Sequence, residues 1–239
     1  MKKIIIIGAT SGIGKELASH YLAQGDIIGI TGRRTDRLQE IRQENPSHVF
    51  VKEMDIKTNE CTGDLDELIN DMGGDVDVII LCSGVGLQNP KLETSIEVDT
   101  GETNVIGFIR IMTHAFNYFR NNKRKGHLVG ISSIAGTKAL RQAPAYSSTK
   151  RFQSHYLSCL AQQANKEKLP LKITTIKPGF IRTALVKQEY PLMIDVQTGG
   201  RLIFNAIEKQ KRSSILPGRW RWIVLFWKLI PNRIWEKVY

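Results

Sequence analysis

Apolar residues in this chain fall into short unbroken runs, separated by stretches where they recur every three or four positions. The runs Lys3–Ile7, Ile27–Thr31, His48–Glu53, Val76–Cys82, Gly126–Ser132 and Lys172–Lys177 are apolar at nearly every position. A strand with one wet face alternates, whereas a strand covered on both faces does not, so these runs predict parallel strands inside a sheet. Between them a helical pattern occupies 12–24, 35–44, 62–72, 99–122, 144–167 and 195–211. Strand alternating with helix predicts right-handed βαβ units and a doubly wound, Rossmann-type α/β sheet. No solenoid repeat and no linker rich in Pro, Gly or Ser interrupts the order, so residues 1–218 read as one domain. The stretch 219–239 departs from the pattern and reads as a C-terminal amphipathic helical extension.

Composition narrows the class. With 239 residues, 41% hydrophobic and 24% charged, the chain is that of a folded globular protein, which excludes collagen-like and disordered readings. Cys61, Cys82 and Cys159 are scattered and odd in number, which fits neither a disulfide framework nor a zinc knuckle and points to a reducing cytoplasm. His20, His48, His114, His127 and His155 show no metal-ligand spacing, and no metal is expected. The N-terminal apolar run ends at Gly8, too soon for a signal peptide, and nothing reaches the roughly 20 apolar residues of a spanning helix. A formal charge of +11 leaves three partners open: nucleic acid, a polyanionic cofactor or an anionic membrane surface.

The first strand runs into Gly8, Ala9, Thr10, Ser11, Gly12, Ile13 and Gly14, followed by a helix. Glycines there allow a tight turn and close approach of backbone to a pyrophosphate, which the helix N-terminus favours electrostatically. The spacing is G-x-x-x-G-x-G rather than the G-x-G-x-x-G of the standard dinucleotide fingerprint. The second strand ends at Arg33 and Arg34, with no carboxylate between Ile27 and Arg34. An acid near this point would suit the ribose hydroxyls of NAD, and arginine suits a 2′-phosphate, so NADP(H) is expected over a merely solvated basic turn. Asp55, with Ile56 beyond the third strand, reads either as a partner of the adenine edge or as a helix cap.

Tyr146 and Lys150 are four residues apart on a long helix that follows Pro144, and so share a face. A tyrosine with a reference pKa of about 10 needs a nearby cation to exchange protons near neutrality, though such pairs also arise by chance. Taken together with GATSGIG at 8–14, Asp55, Asn104 in NVIG, ISS at 131–133, YSSTK at 146–150 and PGFIRT at 178–183, the chain resembles the short-chain dehydrogenase/reductase family in its compact single-domain branch. The resemblance runs from the first strand to about residue 210.

It implies that Tyr146 is the acid or base at a carbonyl or alcohol oxygen and that Ser133, thirteen residues earlier, holds that oxygen. Lys150 would lower the tyrosine pKa and bind the nicotinamide ribose, and Asn104 would position a water linking the lysine to solvent. Ser83 and Gly84 would floor the cofactor, while Pro178, Gly179, Ile181 and Thr183 would hold its carboxamide. Two positions depart from the family pattern: Ile7 stands where Thr is common, and Leu81-Cys82-Ser83-Gly84 where Asn-Asn-Ala-Gly is common.

The expected activity is NADPH-dependent interconversion of a carbonyl and an alcohol on a hydrophobic substrate. The apolar stretch 184–194 lies where the family places its substrate loop. Alternatives are a 3-oxoacyl carrier-protein reductase and a non-catalytic NADP(H)-binding regulator. Nucleic acid is not expected as a partner, because the basic run 121–125 lacks interleaved aromatics. The family's habit of pairing through its two long helices implies a homo-oligomer, dimer or tetramer. All four tryptophans lie in 219–239 among five basic residues. Two readings remain open for that segment: peripheral attachment to a membrane surface, and a helix packed on the domain or a sister subunit.

Overall fold

The computed structural model describes residues 1–183, 186 and 189–238. It shows a seven-stranded, all-parallel sheet in the order β3-β2-β1-β4-β5-β6-β7, flanked by helices, and the doubly wound α/β class is the one the sequence pattern predicts. The strands are β1 (Lys3–Ile7), β2 (Ile27–Gly32), β3 (Val49–Glu53), β4 (Val78–Leu81), β5 (Gly126–Ile131), β6 (Leu171–Pro178) and β7 (Ser213–Leu216). The first helices are α1 (Gly12–Ala23), α2 (Thr35–Glu44) and α3 (Cys61–Asp71). After them come α4 (Thr94–Gly101), α5 (Phe108–Asn121), α6 (Pro144–Lys166) and α7 (Val196–Glu208).

The four consecutive isoleucines of β1 show why the strands are apolar throughout. Ile4 and Ile6 enter the core on one face of the sheet, while Ile5 and Ile7 enter the core on the other. Each has almost no exposed surface. The strand order reverses between β1 and β4, and the crevice beyond the carboxyl ends of these strands is where open α/β sheets hold ligands.

Two elements differ from the expectation. A seventh strand, β7, pairs with β6 in register Thr175↔Ser213 to Pro178↔Leu216. The helix expected to start near 99 starts instead at Thr94 and passes through a π-helical turn, Glu102–Gly107, before continuing as α5.

The C-terminal segment forms α8 (Trp220–Leu229) and α9 (Asn232–Val238). Its inner face is packed on the domain: Trp220 and Val224 form a small core with Ile134, joined by Phe180, Ile215, Ile223 and Trp227. Trp235 is also buried, and its indole N–H donates to the Ala139 carbonyl at 2.7 Å. Lys138 Nζ donates to Ile230 O at 2.8 Å, and Arg219 donates to Leu192 O at 2.7 Å. The packed-helix reading therefore describes one side of this segment. Among the described residues, no helix is long and apolar enough to cross a membrane.

Candidate active site

A groove of about 290 Å³ opens at the carboxyl end of β1, β2 and β4, lined by the glycine-rich turn, Arg33, Arg34, Asp55, Ile56, Ser83, Gly84 and Thr183. Gly8 takes φ +90°, and a Cβ there would stand within 2.7 Å of the Ser83 backbone nitrogen and hydroxyl. Backbone therefore lies against backbone where the groove begins. Ser11 precedes α1 without capping it through its side chain, so among the described residues the first N–H groups of that helix meet no side-chain cap. Gly12, Ile13 and Gly14, in that same turn, line the groove. A helix N-terminus in this state suits a phosphate.

The arginines occupy the other end. Arg34 donates to Thr10 Oγ1 at 2.6 Å and to Ser11 Oγ at 2.8 Å, which ties β2 to the glycine-rich turn. Arg33 lies 3.9 Å from Asp55 and is mostly exposed. Of the two readings open for Asp55, the structure excludes the helix cap, since α3 begins after Glu60. Asp55 instead accepts from Lys57 N at 3.0 Å and faces the groove. The unusual residues beside it are accommodated by backbone: Cys82 N and Ser83 N both donate to Ile7 O, at 2.8 and 3.0 Å. Burial pushes the Cys82 thiol up to about 12, so it packs there as a neutral group.

The groove leads inward to the second cluster. An added Cβ at Gly84 would stand 3.2 Å from Asn104 Oδ1 and 3.3 Å from Lys150 Nζ. Lys150 is buried in α6, and Nζ donates to Ile131 O at 3.0 Å and to Gln153 Oε1 at 2.9 Å. Burial lowers its pKa to about 8. The Tyr146 ring lies one turn earlier, with Nζ 5.7 Å from its centre. Burial raises the pKa of the phenol, and a hydrogen bond with Ser133 opposes that rise. The lowering expected from Lys150 is not among the causes of this shift, and the ammonium is turned toward Ile131 and Gln153.

The two adjacent serines do different work. Ser132 is buried and bonds Lys150 O at 2.7 Å and Ser154 Oγ at 2.8 Å, which fastens β5 to α6. Ser133 accepts from Ala135 N at 3.1 Å, reaches Pro178 O at 3.5 Å and is within hydrogen-bonding reach of the Tyr146 phenol.

Asn104 sits in the π-helical turn, fully buried. Its side-chain amide pairs with both backbone groups of Val85, accepting from N at 3.0 Å and donating to O at 2.7 Å. Its own carbonyl accepts from Gln153 Nε2 at 2.9 Å. Gln153 thus bridges Asn104 and Lys150 directly. Neither Gln153 nor Gly86, whose backbone walls the Tyr146 ring, was found from the sequence. A polar residue three positions after Lys150 was the only signal for the first, and a glycine in 83–86 for the second.

Pro178 ends β6, and Gly179, which follows it, lies directly under the Trp220 indole. Ile181 forms a parallel bridge to Ile194, and Thr183 reaches the groove beside Gly12. Of the expected substrate loop, positions 184, 185, 187 and 188 lie outside the described residues. Tyr190 stacks on Phe180 at 4.2 Å with the rings nearly parallel.

Known proteins match the chain in family and in fold. The pattern of the short chain dehydrogenase family matches residues 2–192. An uncharacterized oxidoreductase of Mycobacterium tuberculosis is 31% identical over 247 residues, covering 97% of this chain and 95% of that protein. A short-chain dehydrogenase from Streptomyces avermitilis superposes with a TM-score of 0.81 at 23% identity, covering 100% of this chain and 98% of its own. One from Sphingobium yanoikuyae, solved with NADPH, has a TM-score of 0.81 at 17% identity, covering 94% and 92%. At those identities the two structures speak for the fold. Family pattern, fold and full-length relative converge, and the chain is an oxidoreductase of the short-chain dehydrogenase family.

Proposed function

We propose that the protein interconverts a carbonyl and an alcohol on a hydrophobic substrate, using NADP(H). The observation that carries this reading is the placement of Ser133, Tyr146 and Lys150 beyond the inner end of a groove that two arginines flank at its outer end. The groove fits such a cofactor: its glycine-rich turn admits backbone to phosphate, and Arg33 offers charge where NAD-specific sites carry an acid. The NADPH held by the Sphingobium structure supports the same choice. When bound, the nicotinamide supplies or accepts the hydride.

The chain's own residues handle the proton and the oxygen. Tyr146 donates its phenolic proton to the carbonyl oxygen in reduction and takes it back in oxidation. Its raised pKa keeps it in the donating form. Ser133 hydrogen-bonds the reacting oxygen and orients it toward the phenol. Lys150, with Asn104 behind it through Gln153, holds the nicotinamide ribose and sets the charge beside Tyr146. Ser83 and Gly84 floor the cofactor, while Pro178, Gly179, Ile181 and Thr183 hold its carboxamide end. The aromatic pair Phe180 and Tyr190 gives the substrate side an apolar character.

The reading also places the protein in the cytoplasm, where its three free cysteines stay reduced. It pairs as a homo-oligomer through the helix 94–121 and α6, and Val98 and Ile106, exposed on the first of these, support that pairing.

The test is a panel of free lipophilic ketones and aldehydes followed by loss of NADPH fluorescence, with a 3-oxoacyl carrier thioester alongside. Turnover of the free carbonyls with NADPH, and much weaker turnover with NADH, is expected. Turnover of the carrier thioester alone would redirect the substrate class. No turnover across the panel would replace the enzyme with a cofactor-binding regulator.

A further inference from the structure

We propose that the outward face of α8 is a docking surface for an anionic lipid bilayer, which holds the protein flat against a membrane with its substrate side at the interface. The proposal is independent of which carbonyl is reduced.

The observation is a stripe of large apolar side chains left in water. Trp222 is 76% exposed, Leu225 51%, Phe226 65% and Leu229 72%. They stand at i, i+3, i+4 and i+7, one face of a helix. Trp220, Ile223, Val224 and Trp227 occupy the opposite face and hold the helix to the domain. Both sides of α8 are therefore apolar, and packing on the domain accounts for only one. Ile234 of α9 adds a further exposed apolar residue, 53% exposed.

The charge around this face says what covers it. Arg219, Arg221, Lys228, Arg233 and Lys237 are all exposed, against a single acid in the segment, Glu236. Among the described residues none of the five is in an ion pair. Arg221 and Lys228 lie seven positions apart, on one flank of α8 between the inner and outer faces. In that position long cations run their stems along apolar surface and leave their charge at headgroup level. A second copy of the chain is a poorer occupant, because an isologous interface would bring two sets of these cations together. A bilayer rich in acidic phospholipid supplies both the apolar layer and the opposite charge.

The inner face of the same helix lies on Gly179, Phe180 and Ile134, the last directly after Ser133. One helix diameter, about 10 Å, therefore separates the proposed lipid surface from the residues next to the site.

The experiment is co-sedimentation of the full-length protein with vesicles of phosphatidylserine and phosphatidylcholine, and with phosphatidylcholine alone, at low and high salt. Sedimentation velocity without lipid runs in parallel. The expected result is binding to the anionic vesicles that weakens at high salt. The paired substitution Trp222→Ser and Phe226→Ser should lower partitioning by about tenfold or more, with melting temperature and any soluble activity unchanged, since both side chains are exposed. No binding at low salt overturns the proposal, as does binding that survives the paired substitution. A self-associated protein that the pair converts to a smaller species, without vesicle binding, assigns the face to a second copy and overturns it as well.

Discussion

A Cβ added to Gly86 would stand 2.7 Å from both Cδ2 and Cε2 of Tyr146, so the loop after β4 forms one wall of the slot that holds the phenol. Gly86→Ala should push the ring off its position and lower turnover by up to roughly 10²-fold, the cost of a misplacement near 1 Å. Gly86 is not among the residues lining the groove, so cofactor affinity should hold. Steady-state rates beside a cofactor titration separate the two effects, and equal losses in both would mean the loop has collapsed.

Tyr146→Phe keeps the ring in that slot and removes its transferable proton. Turnover should fall by roughly 10²–10⁴, while NADPH binding changes little. Near-normal turnover of a good substrate would take the acid–base role away from this residue.

Arg33 is held only loosely by Asp55 and is free to meet a phosphate at the mouth of the groove. Losing a charge-assisted contact of about 1.5–3 kcal/mol would weaken binding roughly ten- to over a hundredfold. Titration of Arg33→Ala should show that loss for NADPH and little change for NADH. Equal affinity of the unaltered protein for both cofactors would count against the phosphate contact.

Gln153 accepts from Lys150 Nζ and donates to Asn104 O, so it is a positioning residue for the lysine. Gln153→Leu removes an acceptor that favours the charged ammonium. The Lys150 pKa, already down at about 8, should fall further, and the limb of the kcat profile it governs should move to lower pH. Gln153→Glu should move that limb the other way. A profile unmoved by either substitution would show that Gln153 only fills space.

His127 is buried on β5, paired with Thr174 Oγ1 at 2.8 Å, and burial lowers its pKa from 6.5 to about 4. Between those values the unfolded chain takes up a proton that the folded one refuses. Stability is therefore fully present above pH 6.5 and is lost as the pH falls toward 4, by up to roughly 3 kcal/mol. Urea denaturation of His127→Gln at pH 7 and pH 4.5 should show a smaller drop than the unaltered protein.

The legible parts of this molecule are those whose signals are local or collective. Four isoleucines in a row can only serve a strand buried on both faces, and β1 is one. The site residues were legible because a family pattern carried Ser133, Tyr146 and Lys150 together; the four-residue spacing of the last two would not have sufficed. β7 escaped because Ser213–Leu216 is four residues long, half of them serine, and gains its strand character from pairing with β6. Gln153 and Gly86 escaped because their importance lies in contacts across the fold, with Asn104 and Tyr146 respectively. The tail was half legible: its aromatic and basic composition stood out, but which tryptophans turn inward depends on Gly179 and Ala139 being there to meet them.

The π-helical turn at Glu102–Gly107 makes the length of this stretch as restrictive as its composition. A π-helical turn holds more residues than the α-helical turn it interrupts, so a single-codon deletion there would close it toward regular α-helix and turn the residues of the stretch itself, about 100° per position, to new faces. Asn104 would leave Val85 and Gln153, and the buried pairing that positions it would be lost. The same lesion in the exposed turn 121–124 is of the kind that surface loops absorb. Natural or engineered variation in chain length should therefore collect in such turns and be purged from 102–107, where an in-frame deletion is as damaging as a change of Asn104 itself.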